Sequence, residues 1–423
     1  MMKLERLSFG MGDRFGYQGK AQLQAIIQAK ETGIDIVPIW NKSFREHQFV
    51  HTSPDAVREE ADAAVEALGW TGSYFVDADH IGLNNVDHFI PSSDFYILDV
   101  ADFTGKAASA QDTEAFMSKF SEYTGTLEIP GIEAAFKIDR ERLWAIADKY
   151  LLAVKEAGRI YRHIESAKGR GNFITEVSMD ETDDPQTAVE LFFILAAVSE
   201  EGIPAQTIAP KFTGRFNKGV DYVGDVIQFE KEFNDDLAVI AFAIKAFGLP
   251  DNLKLSVHSG SDKFSIYKPI GDAIRLTGAG VHVKTAGTTW LEELIGLAEA
   301  GGEGLLIAKE VYRKALDRMV ELCEPYSAVI DIESSKLPGV EEVNAWDGKR
   351  FAASLRHDQT CDAYNMHFRQ LLHIGFKIAA DMGDRYLNAL KEYEAVIAKH
   401  VSENLFERHI KRLFMTDQAE FSQ

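Results

Sequence analysis

Short apolar runs alternate with longer amphipathic stretches through roughly the first 300 residues of this chain. The short runs are LERLSFG (4–10), IDIVPIW (34–40), SYFVDAD (73–79), DFYILDV (94–100), NFITEVS (172–178), AQTIAPK (205–211), LKLSVHS (253–259) and GVHVKTA (280–286). Most are β-branched or uniformly apolar with little clean alternation, the pattern of parallel strands covered on both faces. The stretches between them carry helix signals. Ser53 as cap and Pro54 in the first turn open a helix that Gly69 stops. Asp184-Pro185 opens another, which runs through LFFILAAVSEE to Gly202. A third, from about Asn234 to Phe247, closes at Gly248-Leu249-Pro250, and TTWLEELIGLAEA follows the eighth run.

Eight strands alternating with helices predict an α/β fold of the (β/α)8 TIM-barrel type. An open doubly wound sheet would need a glycine-rich phosphate loop, and GMGDRFG (10–16) has the wrong glycine spacing for a dinucleotide fingerprint. No nicotinamide cofactor is therefore expected. Two additions to a minimal barrel are predicted. An insertion at about 103–170 holds a loop around Gly125–Gly131 and a helical run from Arg140 to Ala167. Residues 303–423 form a mostly helical extension packed on a barrel of residues 1–302, with an irregular piece around 334–350.

Charge narrows the function. A formal net charge of −21 repels phosphate backbones and anionic lipid, so neither nucleic acid nor membrane is an expected partner. A small anionic substrate is admitted only where Lys and Arg gather locally. Cys323 and Cys361 offer no metal-knuckle spacing and no disulfide framework, and MMKLERLSFG lacks the apolar run of a secretory signal. The longest apolar stretches, Leu191–Val198 and Leu237–Ile244, are too short to span a bilayer. A cytoplasmic protein is expected, and a homo-oligomer is compatible with this sequence.

In such a barrel the chemistry sits where strands end and loops begin. Those positions hold Asp13 and Arg14, Asn41 and Lys42, Asp77, Asp79 and His80, Asp99 and Asp102. Further along come Glu176, Ser178, Asp180 and Glu181, Lys211, His258, Ser259, Ser261 and Asp262, and His282, Lys284 and Thr285. So many ionisable groups in one mouth would repel unless a metal and a substrate complete the balance. A single histidine at a strand end is more often a hydrogen-bonding loop residue. His80, His258 and His282 at equivalent positions favour a divalent cation, and imidazole with carboxylate suits Zn, Mn, Co or Ni better than Mg or Ca.

Asp79 and Glu176 are the acid/base candidates, and Glu176 is nearly as well suited to ligate the metal. The cations able to hold an anion are Lys211, Lys218, Lys263 and Lys284 with Arg14 and Arg215, of which Lys211 and Lys284 sit on expected strand ends. Asp13, Arg14, Lys211, Ser261 and Lys284 are the residues assigned to substrate. HSGSDKF (258–264) and KTAGTTW (284–290) are small and hydroxyl-rich ahead of helices, so their amides could bind an anion.

Seven segments, in order along the chain, resemble the tagaturonate epimerase family: SFGMGDRFG (8–16), VDADH (76–80), EVSMDETDDP (176–185), KGVDYVGDVIQFE (218–230), SVHSGSDKFSIY (256–267), HVKTAGTTWLE (282–292) and RQLLHIGFK (369–377). Members of that family carry a longer segment before the first strand. The resemblance implies interconversion of D-tagaturonate and D-fructuronate with a divalent cation in hexuronate catabolism. It also implies Asp79 and Glu176 as acid/base groups and His80 and His258 as ligands; His282 is added from its position. The rival readings are a metal-dependent aldolase or ketose isomerase acting on another sugar, and a sugar-binding protein without catalysis.

Overall fold

A computed structural model describes residues 2–285 and 287–415. Eight strands form a closed parallel barrel: Leu7–Gly12, Val37–Ser43, Phe75–Ile81, Phe95–Asp99, Ile174–Ser178, Thr207–Ala209, Lys254–His258 and Val281–Lys284. Each pairs with the next, and the first closes on the eighth with Ser8 opposite His282 and Gly10 opposite Lys284. The expected (β/α)8 barrel is the observed fold. Within the barrel, side chains change character with height. Leu4, Val37, Ile39, Phe75, Phe95, Ile97 and Ile174 form one apolar cluster. Toward the strand ends come buried polar groups: Asn41, Asp77, Asp79, Glu176, His282 and Lys284. Burial holds the lower barrel together, and the polar mouth is left to chemistry.

The helices follow the sequence reading in outline and depart from it in detail. Pro54–Leu68 ends at Gly69 in the left-handed region, but the Ser53 hydroxyl makes no cap hydrogen bond. The helix expected from Pro185 starts at Ala188, because Thr187 and Glu190 form a reciprocal capping box. The helix ending at Phe247 begins at Val226, where the Asp225 carboxylate accepts from the amides of Ile227 and Gln228. Third and fourth strands are joined without an α-helix, through one 3-10 turn at Val86–His88. The insertion supplies the next crossover as the long helix Arg140–Lys168, preceded by a hairpin of Gly125–Leu127 with Phe136–Ile138 where a loop was expected.

After Gly302 the described chain is mostly helical, and the stretch read as irregular contains short helices at Val340–Ala345 and Gly348–Leu355. Leu371, Leu372, Ile397 and Leu405 belong to the same hydrophobic core as the barrel helices. Close approach needs a missing side chain: a Cβ on Gly296, in the eighth barrel helix, would stand 2.8 Å from the Ile397 Cα. One buried carboxylate ties barrel to extension. Asp262, just past the seventh strand, accepts from Arg369 Nη2 at 2.9 Å, and His409 Nε2 and His357 Nδ1 lie 3.0 and 3.2 Å from it. Among the described residues, no helix is long and apolar enough to cross a membrane.

Candidate active site

The third strand does something unusual at its end. Successive residues of a regular strand face opposite sides, so Asp79 and His80 would not share the mouth. The pairing with the fourth strand shifts register between Ala78 and Ile81, and His80 takes φ 49°. A non-glycine residue in the left-handed region is strained, and such strain gathers at functional sites. The bulge lets both side chains reach the same cluster: His80 Nε2 lies 3.5 Å from Asp79 Oδ1, and His80 Nδ1 lies 3.4 Å from Asp99 Oδ2.

From the seventh strand, His258 meets the fifth. Its Nε2 is 2.7 Å from Glu176 Oε1, and its Nδ1 is 3.1 Å from Asp180 Oδ2. The His80 and His258 rings pack edge to face, centroids 5.2 Å apart. His80, Asp180 and His258 each offer a ligand atom, all within 4.8 Å of one another; His80, Asp99 and Glu181 form a second such group. The Nδ1 atoms of both histidines are buried without a hydrogen-bond partner. Two buried imidazole nitrogens that face carboxylates without an aligned hydrogen bond suit a divalent cation of the Zn, Mn, Co or Ni kind. With Nε2 engaged by Glu176, Nδ1 is the nitrogen of His258 left to ligate, and Glu176 then fixes its tautomer and ring orientation.

Charge around the cluster is finely shared. Burial disfavours a charged imidazole, yet Asp79, Asp99 and Asp180 hold His80 up at about 9. Burial also opposes charge on His258, but Asp180 and Glu176 raise it to about 10. The carboxylates move the other way. Burial would lift Asp79, but Lys284 and then His80 bring it down to about 2. Glu176 is likewise lowered to about 2, against burial, by His258. Asp77 is the exception: burial keeps its carboxyl well above the usual range despite Lys284, and Asp79 and Glu176 add to the rise.

The remaining sequence candidates scatter. His282 lies one layer below the cluster, fully buried, 3.1 Å from the Ser8 hydroxyl; burial pushes it down to about 3, and it is not in either ligand group. Asp13 accepts four backbone amides, from Phe15, Gly16, Tyr17 and Gln18, so its oxygens staple the first loop. Ser261 accepts from the Gly219 amide and from Lys263, bolting two loops together. Lys284 is ion-paired with Asp79 and lies 3.8 Å from Asp77, so its charge is committed inside the barrel.

Lys211 is half-buried, its amide held by Gln186, with no ion pair among the described residues. Arg14 packs its guanidinium 4.5 Å over Phe376. Amides of the two hydroxyl-rich loops are largely spent on backbone: Ser259 and Gly260 donate to the Lys284 carbonyl, and Gly287 to that of Gly260. Ala286, within KTAGTTW and at the end of the eighth predicted strand, lies outside the described residues. Asp180 is one of the strand-end residues to which the sequence assigns no role. Its period-two spacing from Glu176 and Ser178 was the available signal.

The sequence profile of tagaturonate epimerase matches residues 1–413. The chain belongs to the tagaturonate epimerase family. Like other members it is a carbohydrate epimerase of the isomerase class. The tagaturonate/fructuronate epimerase of Thermotoga maritima is 28% identical over 424 residues, spanning 96% of this chain and 80% of that protein. The native crystal structure of the fructuronate-tagaturonate epimerase of Cohnella laeviribosi superposes with a TM-score of 0.78 at 23% identity, covering 98% of this chain and 82% of that one. Its form with one glycerol gives a TM-score of 0.77 at 24% identity, covering 97% and 82%. At those identities the crystal structures speak for the fold alone.

Proposed function

We propose that this chain interconverts D-tagaturonate and D-fructuronate at carbon 4, with a divalent cation held by His80, His258 and Asp180. The reading rests on family membership along the chain and is carried at the site by two buried imidazole nitrogens that face Asp99 and Asp180 without an aligned hydrogen bond. Asp79 and Glu176 are the acid/base carboxylates, and Glu176 keeps Oε2 buried and unpartnered while Oε1 meets His258.

Carbon 4 lies one bond beyond the carbon next to the ketone, so enolisation does not loosen its hydrogen. Cleavage between carbons 3 and 4 avoids that difficulty. Asp79 takes the carbon 4 hydroxyl proton as the bond breaks and its electron pair passes toward the ketone oxygen. The aldehyde rotates, the bond re-forms on its other face, and Asp79 returns the proton. Lys284 keeps Asp79 in its proton-accepting form. When bound, the cation supplies Lewis acidity where negative charge gathers on the ketone oxygen.

Two measurements test this. His80→Ala and His258→Ala each lose the bound cation and keep their circular dichroism; full metal content in both variants would overturn the ligand set. Turnover in D2O, followed by NMR, retains protium at carbon 4, because cleavage never touches that hydrogen. Substantial deuterium there would mean direct proton exchange. Release of free three-carbon products in place of the epimer would make the enzyme an aldolase.

A further inference from the structure

We propose that Arg14, Lys218 and His373 form a clamp at the barrel mouth that grips the carboxylate of a sugar acid and selects it over neutral ketoses. The proposal builds on the function argued above, which needs a cation for the acid end of its substrate. Lys284 cannot be that cation while Asp79 and Asp77 hold it inside the barrel.

The three residues come from distant parts of the chain. Arg14 lies in the loop after the first strand, only 7% exposed. Its guanidinium rests on Phe376, its Nε is 3.1 Å from Glu46 Oε1, and its Nη1 is buried without a hydrogen-bond partner. Lys218 follows the sixth strand and has neither hydrogen bond nor ion pair from its ammonium among the described residues. A Cβ on Gly260 would stand 3.9 Å from the Lys218 Nζ. His373, on the extension helix Met366–Ile374, keeps Nε2 buried and unpartnered. A Cβ on Gly287 would fall 2.3 Å from that nitrogen and 2.5 Å from the Gly260 carbonyl. Gly260 and Gly287, joined by an amide-to-carbonyl hydrogen bond of 2.9 Å, therefore put backbone without side chains beside Lys218 and His373.

Electrostatics agrees with the geometry. Burial, then Arg14 and Lys218, push the His373 imidazole well below its ordinary range, so it stays neutral and keeps one N–H to donate. Burial lowers Lys218 too, while Glu181 and Glu46 pull against Arg45 and Arg14. Glu181, which pulls on Lys218, is grouped with His80 and Asp99, so Lys218 lies on the side of the mouth that holds the histidine cluster. A carboxylate there would receive charge-assisted hydrogen bonds from Arg14 and Lys218 and a third from His373. In a chain of net charge −21, a local cation surplus with unused donors is a feature that an anion explains.

The test is calorimetric binding of D-fructuronate and of D-fructose, which carries a hydroxymethyl group in place of the carboxylate. Lys218→Met is expected to weaken D-fructuronate on the order of 10- to 100-fold and to move D-fructose by less than about twofold. Lys218→Arg restores most of the lost uronate affinity, and Arg14→Lys loses part of it because the planar stack on Phe376 is gone. Equal weakening of both sugars, or unchanged uronate affinity in Lys218→Met, overturns the clamp. Circular dichroism identifies a misfolded variant, in which case Lys218→Gln and Arg14→Gln carry the same comparison. Uronate that binds the unaltered enzyme selectively but is not epimerised would remove the proposed reaction and leave the clamp standing.

Discussion

Asp79→Asn leaves the fold and the bound cation in place and lowers turnover by roughly 100- to 10,000-fold, the usual worth of a general acid/base group. Asparagine has the shape of aspartate and still offers Lys284 a carbonyl oxygen, but it cannot take up a proton. The fold tolerates the change because a second partner is waiting. Lys284 also lies 3.8 Å from Asp77, whose carboxyl is kept well above its usual range by burial, with the charge of Asp79 adding to the rise. Removing that charge eases ionisation of Asp77, and Lys284 keeps a counter-ion. The check is kcat/KM from epimer formation by NMR, with metal content measured on the same samples. A fall of less than about tenfold with full metal would end the acid/base assignment. Loss of the metal would move Asp79 into the coordination set.

The second large effect falls on stability. Asp262→Asn leaves Arg369 fully buried with its ion-pair partner gone, and it weakens the links to His357 and His409. Breaking one side of a buried, hydrogen-bonded ion pair costs about 3–5 kcal/mol. With about 2.1 cal/mol/K of unfolding entropy per residue, that lowers Tm by about 3–6 °C. Its pH dependence has a definite sign. Burial would raise the Asp262 carboxyl, but Arg369 first, then His357 and His409, hold it well below the usual range. A depressed carboxylate stabilises fully above its unfolded pKa of about 3.9, and the benefit fades as pH falls toward the folded value. Urea unfolding at pH 7 and at pH 3 should show a wide gap between the two proteins that narrows in acid. A gap of equal size at both would point to packing rather than charge.

Much of the barrel was legible. All eight strands overlap the predicted runs, because a strand buried on both faces is apolar along its length and short enough to be told from the longer apolar helix at Ala188–Glu200. Helix starts were less legible where two signals competed. Pro185 suggested a first turn, while the Thr187–Glu190 box satisfied the free amides better and won. The insertion hairpin, Gly125–Leu127 with Phe136–Ile138, escaped because its short strands are mostly exposed or half-buried and carry no apolar run, unlike the equally short but buried Thr207–Ala209.

What this sequence determined by itself was the alternation of strand and helix, the height of Asp79, Glu176 and His258 near strand ends, and segments long enough to mark the family. The tertiary structure decided which of those side chains meet. Asp79 and His80 are neighbours that a flat strand would send to opposite faces, and only the bulge with His80 at φ 49° gathers both. His282 and Lys284 look equivalent in sequence, yet one sits a layer deeper against Ser8 and the other pairs with Asp79. Arg369 and His373, far along the chain, reach Asp262 and Gly287 only because the extension folds back over the mouth. The reason is physical. Local pattern records whether a position faces apolar surroundings, whereas the partner of a buried charge is set by barrel closure and loop packing, which join residues hundreds of positions apart.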